Sequence, residues 1–336
     1  MVLDSLRRAL ALKLVLTLLV LLAASAPATT AAEKVTLRLG WIMKGEYAFL
    51  FMGKEKGIFD KHGIDVDILE GRGSVAAMNA VANKQDTFGY SGGPPFFLSR
   101  NRGLPIRMVA VMLQRDPQVL LSWPDNPVRT LKDLEGKSII LTPGDGFHAL
   151  WPALTAAHNI DRAKVQEIVV GVEARAQTFL QKRALVTPEY VTSAAFPLEE
   201  RAGAELVKLY LADIGWGTVN NGIFVHEDTI RDKPDLVRRF AAAALEAFDY
   251  TAKNIDAATD LMQPRLGGQS RAVVRKQIEA TVRLAHTKRT EGKPLGWSHP
   301  EDWKDSLNLM AKGGQLKPIE IRGIYYYFTN EFISTR

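Results

Sequence analysis

Three short glycine-rich segments fall where strand-period apolar runs end: Gly71-Arg72-Gly73-Ser74, Ser91-Gly92-Gly93 and Thr142-Pro143-Gly144-Asp145-Gly146. Each precedes a run with helical spacing. Backbone N–H groups at such a helix start can hold an anion, and small residues leave room for a ligand while hydroxyls add donors. One such turn carries little, since any tight turn uses glycine; three at three strand ends form a pattern. Trp41 ends the first strand and Tyr47 opens the next helix, and either ring can stack on a planar ligand or pack as core. Trp216, set among Gly215, Gly217, Asn220 and Asn221, either lines a cleft or stiffens a crossing. Other chemistry has little support. There is no HExxH, no GxSxG and no P-loop. The six histidines are scattered and none pairs with another at metal-ligand spacing, so neither a metal nor a cofactor is expected.

The elements that position these loops alternate. Val35, Leu37, Leu39 and Trp41 have strand period, a helix is expected over 47–56, and Ile64, Val66 and Ile68 mark a second strand. Helix 75–82, strand 87–90, helix 96–102 and strands 106–113 and 119–122 follow. After the break at Pro124–Pro127 the rhythm repeats: helix 130–135, strand 138–141, a helix to about His158 interrupted by Pro152, strand 165–170, helix 174–183, strand 186–192, helix 194–201 and strand 205–211. Strand 221–226 leads into a helix with Pro234 in its first turn, whose Leu236, Val237, Phe240, Ala241, Ala244, Leu245 and Phe248 share one face. The rest is helical (256–262, 270–285, 303–312), and the aromatic tail 324–333 reads as core packing. Alternating strands and helices predict parallel α/β sheets, which bind ligands at the loops leaving the strand ends.

The 336 residues are 46% hydrophobic and 24% charged, as in a soluble globular protein of one or two units. Arg7, Arg8 and Lys13 precede an apolar run, Leu14–Ala24, too short for the roughly 20 residues of a membrane span. Small residues follow at Ala26-Pro27-Ala28 and Thr30-Ala31-Ala32. Residues 1–32 therefore read as a cleavable secretory signal peptide. There is no cysteine, hence no disulfide framework and no lipid anchor of the lipoprotein kind, which points to a free periplasmic protein. The net charge of +6 is mild, and no basic run with interleaved aromatics suggests nucleic acid.

The segment KEKGIFDKHGIDVDIL resembles the AKEKGYFKEEGLDVEI signature of ABC-transporter periplasmic solute-binding proteins, in the branch serving nitrate, sulfonates, taurine, aromatic acids and thiamine-pyrimidine precursors. GRGS, FGYSG, NRGLPIRMVAV, LKDLEGKSIILTPGD, KPDLVRRFAAAALEAFDY and TNEF follow in the family's order. Two departures stand out: Asp86-Thr87-Phe88-Gly89 replaces ADFG, and Lys182-Arg183-Ala184-Leu185-Val186 lacks the acid of G-x-x-D-A. The resemblance implies a two-lobed periplasmic-binding-protein fold of type II, the Venus flytrap. Lobe one would be 33–120 plus 222–336 and lobe two 125–215, hinged near 121–127 and 215–221. It implies a monomer that does no catalysis and hands its ligand to a membrane permease and its ATPase. On that plan Trp41, Tyr47, Gly73, Ser74, Ser91 and Gly92 face the cleft from lobe one. Thr142, Gly144, Asp145, Phe147, Glu189 and Tyr190 face it from lobe two. The aromatics favour a flat ligand, a thiamine-precursor pyrimidine or an aromatic carboxylate; the alternative is an alkanesulfonate, taurine or nitrate. A carboxylate at Glu189 facing the cleft would suit an amino-bearing ring and repel a small anion. The eukaryotic thiamine-pyrimidine synthase looks similar in its first lobe, but it carries a cysteine-rich motif that this chain lacks.

Overall fold

Two five-stranded sheets carry the chain, and each completes itself with an antiparallel strand from a distant stretch of sequence. The computed structural model describes residues 32–143, 146–317 and 322–334; of the expected leader, all but Ala32 lies outside these residues. Lys34–Arg336 forms one compact unit. Its strands are β1 (Glu33–Leu39), β2 (Ile64–Leu69), β3 (Phe88–Gly92), β4 (Ile106–Val111), β5 (Gln118–Ser122), β6 (Ser138–Leu141), β7 (Gln166–Val169), β8 (Val186–Tyr190), β9 (Val207–Tyr210) and β10 (Asn221–His226). The helices are α1 (Ala48–Glu55), α2 (Ile58–Lys61), α3 (Ser74–Ala82), α4 (Pro94–Asn101), α5 (Gly146–Ala157), α6 (Val172–Leu180), α7 (Ala195–Ala202), α8 (Glu227–Asp232), α9 (Pro234–Lys253), α10 (Ile255–Met262), α11 (Arg271–Arg283) and α12 (Pro300–Lys312).

The first sheet runs β2-β1-β3-β10-β4 and the second β7-β6-β8-β5-β9. β1 pairs parallel with β3, Leu39 opposite Tyr90, a connection that needs an intervening helix. β10 lies antiparallel between β3 and β4, and β5 lies antiparallel between β8 and β9. The chain therefore passes between the sheets at 112–117 and again at 215–220. The sequence reading ends the first lobe at 120 and sets a hinge near 121–127, whereas β5 is fully buried within the second sheet. An apolar strand buried on both faces fits either sheet by composition, so its pairing partner is set by tertiary contacts.

Asp86, the displaced acid of the DTFG segment, is buried and pairs with Arg38 at 2.8 Å, tying β1 to the start of β3. Helix α9 buries Leu236, Val237, Phe240, Ala241, Ala244 and Phe248, with Leu245 half-buried. Phe240 stacks on Phe88 with ring centroids 3.8 Å apart. Burying each such ring contributes about 1.5–3 kcal/mol. The tail packs as core through Tyr327, Phe328 and Phe332, although Tyr325 is exposed. Helix α11 starts at a cap: the Ser270 hydroxyl accepts from the Val273 amide at 3.2 Å. Ser270→Ala should cost about 1 kcal/mol, readable as a lower urea midpoint at unchanged slope; an unchanged midpoint would show that the cap contributes nothing.

Candidate functional site

Between the sheets lies a cavity of about 560 Å³. Its first wall comes from the loop after β1 and from the ends of β3 and β10. The second comes from the ends of β6 and β8, the start of α6 and the turn after β8. Glycine lets these backbones approach. A Cβ on Gly71 would sit 1.7 Å from the Leu39 carbonyl oxygen, and one on Gly92 would sit 2.0 Å from that of Asn220.

Of the residues the sequence singles out, Trp41, Tyr47, Ser74, Ser91, Gly92, Thr142, Glu189 and Tyr190 line this cavity. Trp41 is half exposed at its edge (49%). Tyr47 is buried, packed edge-on against Tyr90 at 5.8 Å; burial first, and the neighbouring Glu46 carboxylate second, push its phenol pKa up. Gly73 stands behind Ser74, and its amide donates to the Gly40 carbonyl at 3.1 Å, so it does not serve as an anion donor. Phe147 does not face the cavity. It is buried beside Trp151 in the second sheet's core, because α5 begins at Gly146 and puts Phe147, Leu150, Trp151 and Leu154 on one apolar stripe. Gly144 and Asp145 lie outside the described residues. Trp216 is buried in the same core, edge-on to His158, and does not line the cavity.

The anion-holding role expected of the loops is also reduced. FGYSG is strand through Gly92, with Ser91 opposite Gly222, and α4 begins Pro94-Pro95, which removes two donors from its first turn.

The polar residues that sequence reasoning passed over are Lys44, Gln118, Arg175 and Ser193; Asn220 and Asn221, noted there only beside Trp216, also line the cavity. Lys44 donates to Glu46 Oε2 at 2.6 Å, and Asn221 Nδ2 donates to Glu46 Oε1 at 2.6 Å; Glu46 is fully buried. Across the cavity Arg175 meets Glu189 through two contacts, Nε to Oε1 and a terminal nitrogen to Oε2, both 3.2 Å. Thus each described cation of the wall faces a carboxylate. Glu189 is accordingly not a lone negative charge: the Arg175–Glu189 pair presents N–H donors and oxygen acceptors side by side. Among the described residues no group of histidines, cysteines or carboxylates could hold a metal. No helix among them is long and apolar enough to cross a membrane.

Two mixed sheets with a polar, aromatic-edged cavity between them define the periplasmic-binding-protein fold. The chain belongs to the NMT1/THI5-like family, whose description matches residues 44–258. It is 27% identical over 333 residues to the riboflavin-binding protein RibY of Chloroflexus aurantiacus, covering 93% of this chain and 89% of that one. It is 20% identical to the formylaminopyrimidine-binding protein of Halalkalibacterium halodurans, over 83% and 85% of the two chains. Among solved structures, the periplasmic sulfonate-binding protein SsuA of Methylobacillus flagellatus superposes with a TM-score of 0.68 at 14% identity, covering 90% and 93%. The desulfurization enzyme DszB shares the fold at a TM-score of 0.62 and 17% identity, over 89% and 97%.

Proposed function

We propose that the protein is the periplasmic solute-binding component of an ABC importer and captures an uncharged, planar heteroaromatic solute of the riboflavin class. The observation that carries this reading is the charge pairing of the wall. Lys44 and Arg175 each face a carboxylate, so a sulfonate, nitrate or aromatic carboxylate would have to displace an internal partner. A neutral ring with donors and acceptors along its edge needs no such exchange. It can use the amides of Gln118, Asn220 and Asn221 and the Arg175–Glu189 edge, with a face on Trp41. The cavity falls within the usual ligand range of about 300–1,000 Å³, and a fused three-ring system fills more of it than a single pyrimidine. The similarity to RibY points the same way. A pyrimidine ligand is the second reading, favoured by the formylaminopyrimidine-binding relative.

In this reading the units that close on the ligand are 33–111 with 221–334, and 118–214, moving about 112–117 and 215–220. Closure is an equilibrium biased by contacts made only in the closed state, and the closed monomer would dock on a permease coupled to its ATPase. The leader expected at 1–32 would deliver the chain to the periplasm. Catalysis is not part of this reading, because RibY and the formylaminopyrimidine-binding relative, each matched over most of this chain, are named as binding proteins.

Titration of riboflavin fluorescence tests the ligand directly, with thermal unfolding in formylaminopyrimidine and methanesulfonate alongside. A ligand at 100 times its dissociation constant should add about 2.7 kcal/mol of stability. Stabilisation by methanesulfonate alone would overturn the proposal, as would turnover of the bound compound. Trp41→Ala should weaken riboflavin binding roughly tenfold through the lost ring contact. Unchanged affinity would remove Trp41 from the site.

A further inference from the structure

Gln277 lies outside the cavity wall, yet one buried amide reaches both of its sides. Its Oε1 accepts from the Gly45 amide at 2.8 Å, between Lys44 and Glu46. Its Nε2 donates to the Ser193 carbonyl at 2.6 Å and to Gln269 Oε1 at 3.0 Å. Gly45 sits so close that a Cβ there would fall 2.5 Å from Gln277 Cβ. The surrounding helix α11 has two apolar faces. Val274 and Ile278 pack with Ala48, Met52, Ala258 and Met262, while Val273, Ala280 and Leu284 pack with Val191, Ala195 and Phe196 beyond the second sheet's β8. One turn of polar residues joins the two faces, and beside Gln277 the Lys276 ammonium meets Glu199 of α7 at 3.0 Å.

We propose that α11 is the latch between the two walls of the ligand cavity, with Gln277 the positioning residue that holds the Lys44–Glu46 loop and Ser193 to a common reference. This rests on the reading of the cavity as the ligand site. For the second wall to swing away, the Gln277–Ser193 hydrogen bond and the Lys276–Glu199 pair must both break. Residence time is therefore governed by a helix that contributes no side chain to the cavity. A neutral buried amide does this without the desolvation cost that a charge would carry.

The chain has no cysteine, so a Glu200→Cys/Ala272→Cys pair, both positions exposed on α7 and α11, can carry two spin labels. The parent pair should give a narrow distance distribution. Gln277→Glu keeps the acceptor for Gly45 but sets a carboxylate against the Ser193 carbonyl. It should lengthen and broaden the distribution and raise the riboflavin off-rate about tenfold, with a smaller change in on-rate. At acid pH the protonated carboxyl regains a donor, and the distribution should narrow again. Lys276→Ala, on a half-exposed side chain, should shift the distance the same way by less; it serves if Gln277→Glu does not fold. Label distances unchanged in both variants overturn the latch. The distance readout needs no ligand, so if riboflavin and formylaminopyrimidine both fail to bind, the ligand reading falls while the labels still decide the latch.

Discussion

Glu189→Gln is expected to reverse the ligand preference of the cavity. The substitution keeps the size of the side chain but removes the negative charge that faces the Arg175 guanidinium at 3.2 Å. With that charge gone, the planar guanidinium is better suited to two oxygens of a sulfonate or carboxylate. Methanesulfonate and benzoate, expected to bind the native protein weakly, should gain roughly ten- to a hundredfold, the range of a hydrogen bond to a charged group. Riboflavin should lose affinity along the edge it shares with the pair. Calorimetric titration of both compounds checks this, and a variant still indifferent to sulfonate would show that Arg175 does not govern the charge of the wall. The reverse change, Arg175→Met, takes away the guanidinium that meets the Glu189 carboxylate, itself only 4% exposed. It should cost about 3–5 kcal/mol of stability, read from urea unfolding.

A second large effect is expected behind the opposite wall. Lys44→Met removes the only cation paired with Glu46 among the described residues, and Glu46 is fully buried. Asn221 still donates to it, but one neutral donor does not offset a desolvated charge, so a loss of about 3–5 kcal/mol is expected. Adding Glu46→Gln removes that charge and keeps an acceptor for Asn221. The double variant should recover to within about 1 kcal/mol of native stability, giving a strongly non-additive cycle. Additive losses would mean that the two charges act independently. Native-like stability with weakened ligand binding in the double variant would separate the pair's role in the site from its role in the fold.

These predictions lean on residues that the sequence left unmarked. The strand ends, the glycine approaches and the apolar face of α9 were legible because they follow periodicities of one local element. Trp41, Ser91 and Thr142 were legible for the same reason, as they sit where strands end. Lys44 and Arg175 were not. Each is a single charged residue in an ordinary loop or helix start, and its meaning comes from a carboxylate, Glu46 or Glu189, that only folding brings within reach. Phe147 was misplaced although a local signal existed. Its spacing to Leu150, Trp151 and Leu154 is that of a buried stripe on the helix already expected after the 142–146 loop. The early crossover at 112–117 had no local signal, because a fully apolar strand such as β5 records burial and not its partner.

The exchange of β5 and β10 between the sheets also sets an order of assembly. The first sheet lacks its fourth strand until residue 226 exists, and until then β3 and β4 have no common neighbour. Any nascent fragment ending short of that point exposes the unpaired edges of two apolar strands, the kind of surface that recruits other chains. Pairings so distant in sequence must close long loops before they stabilise anything, which slows folding. The fold therefore matures late and nearly all at once. In a circular permutant opened between β9 and β10, which places β10 ahead of β1, all five strands of the first sheet exist before any of the second, so its nascent fragments should aggregate less than those of the native order.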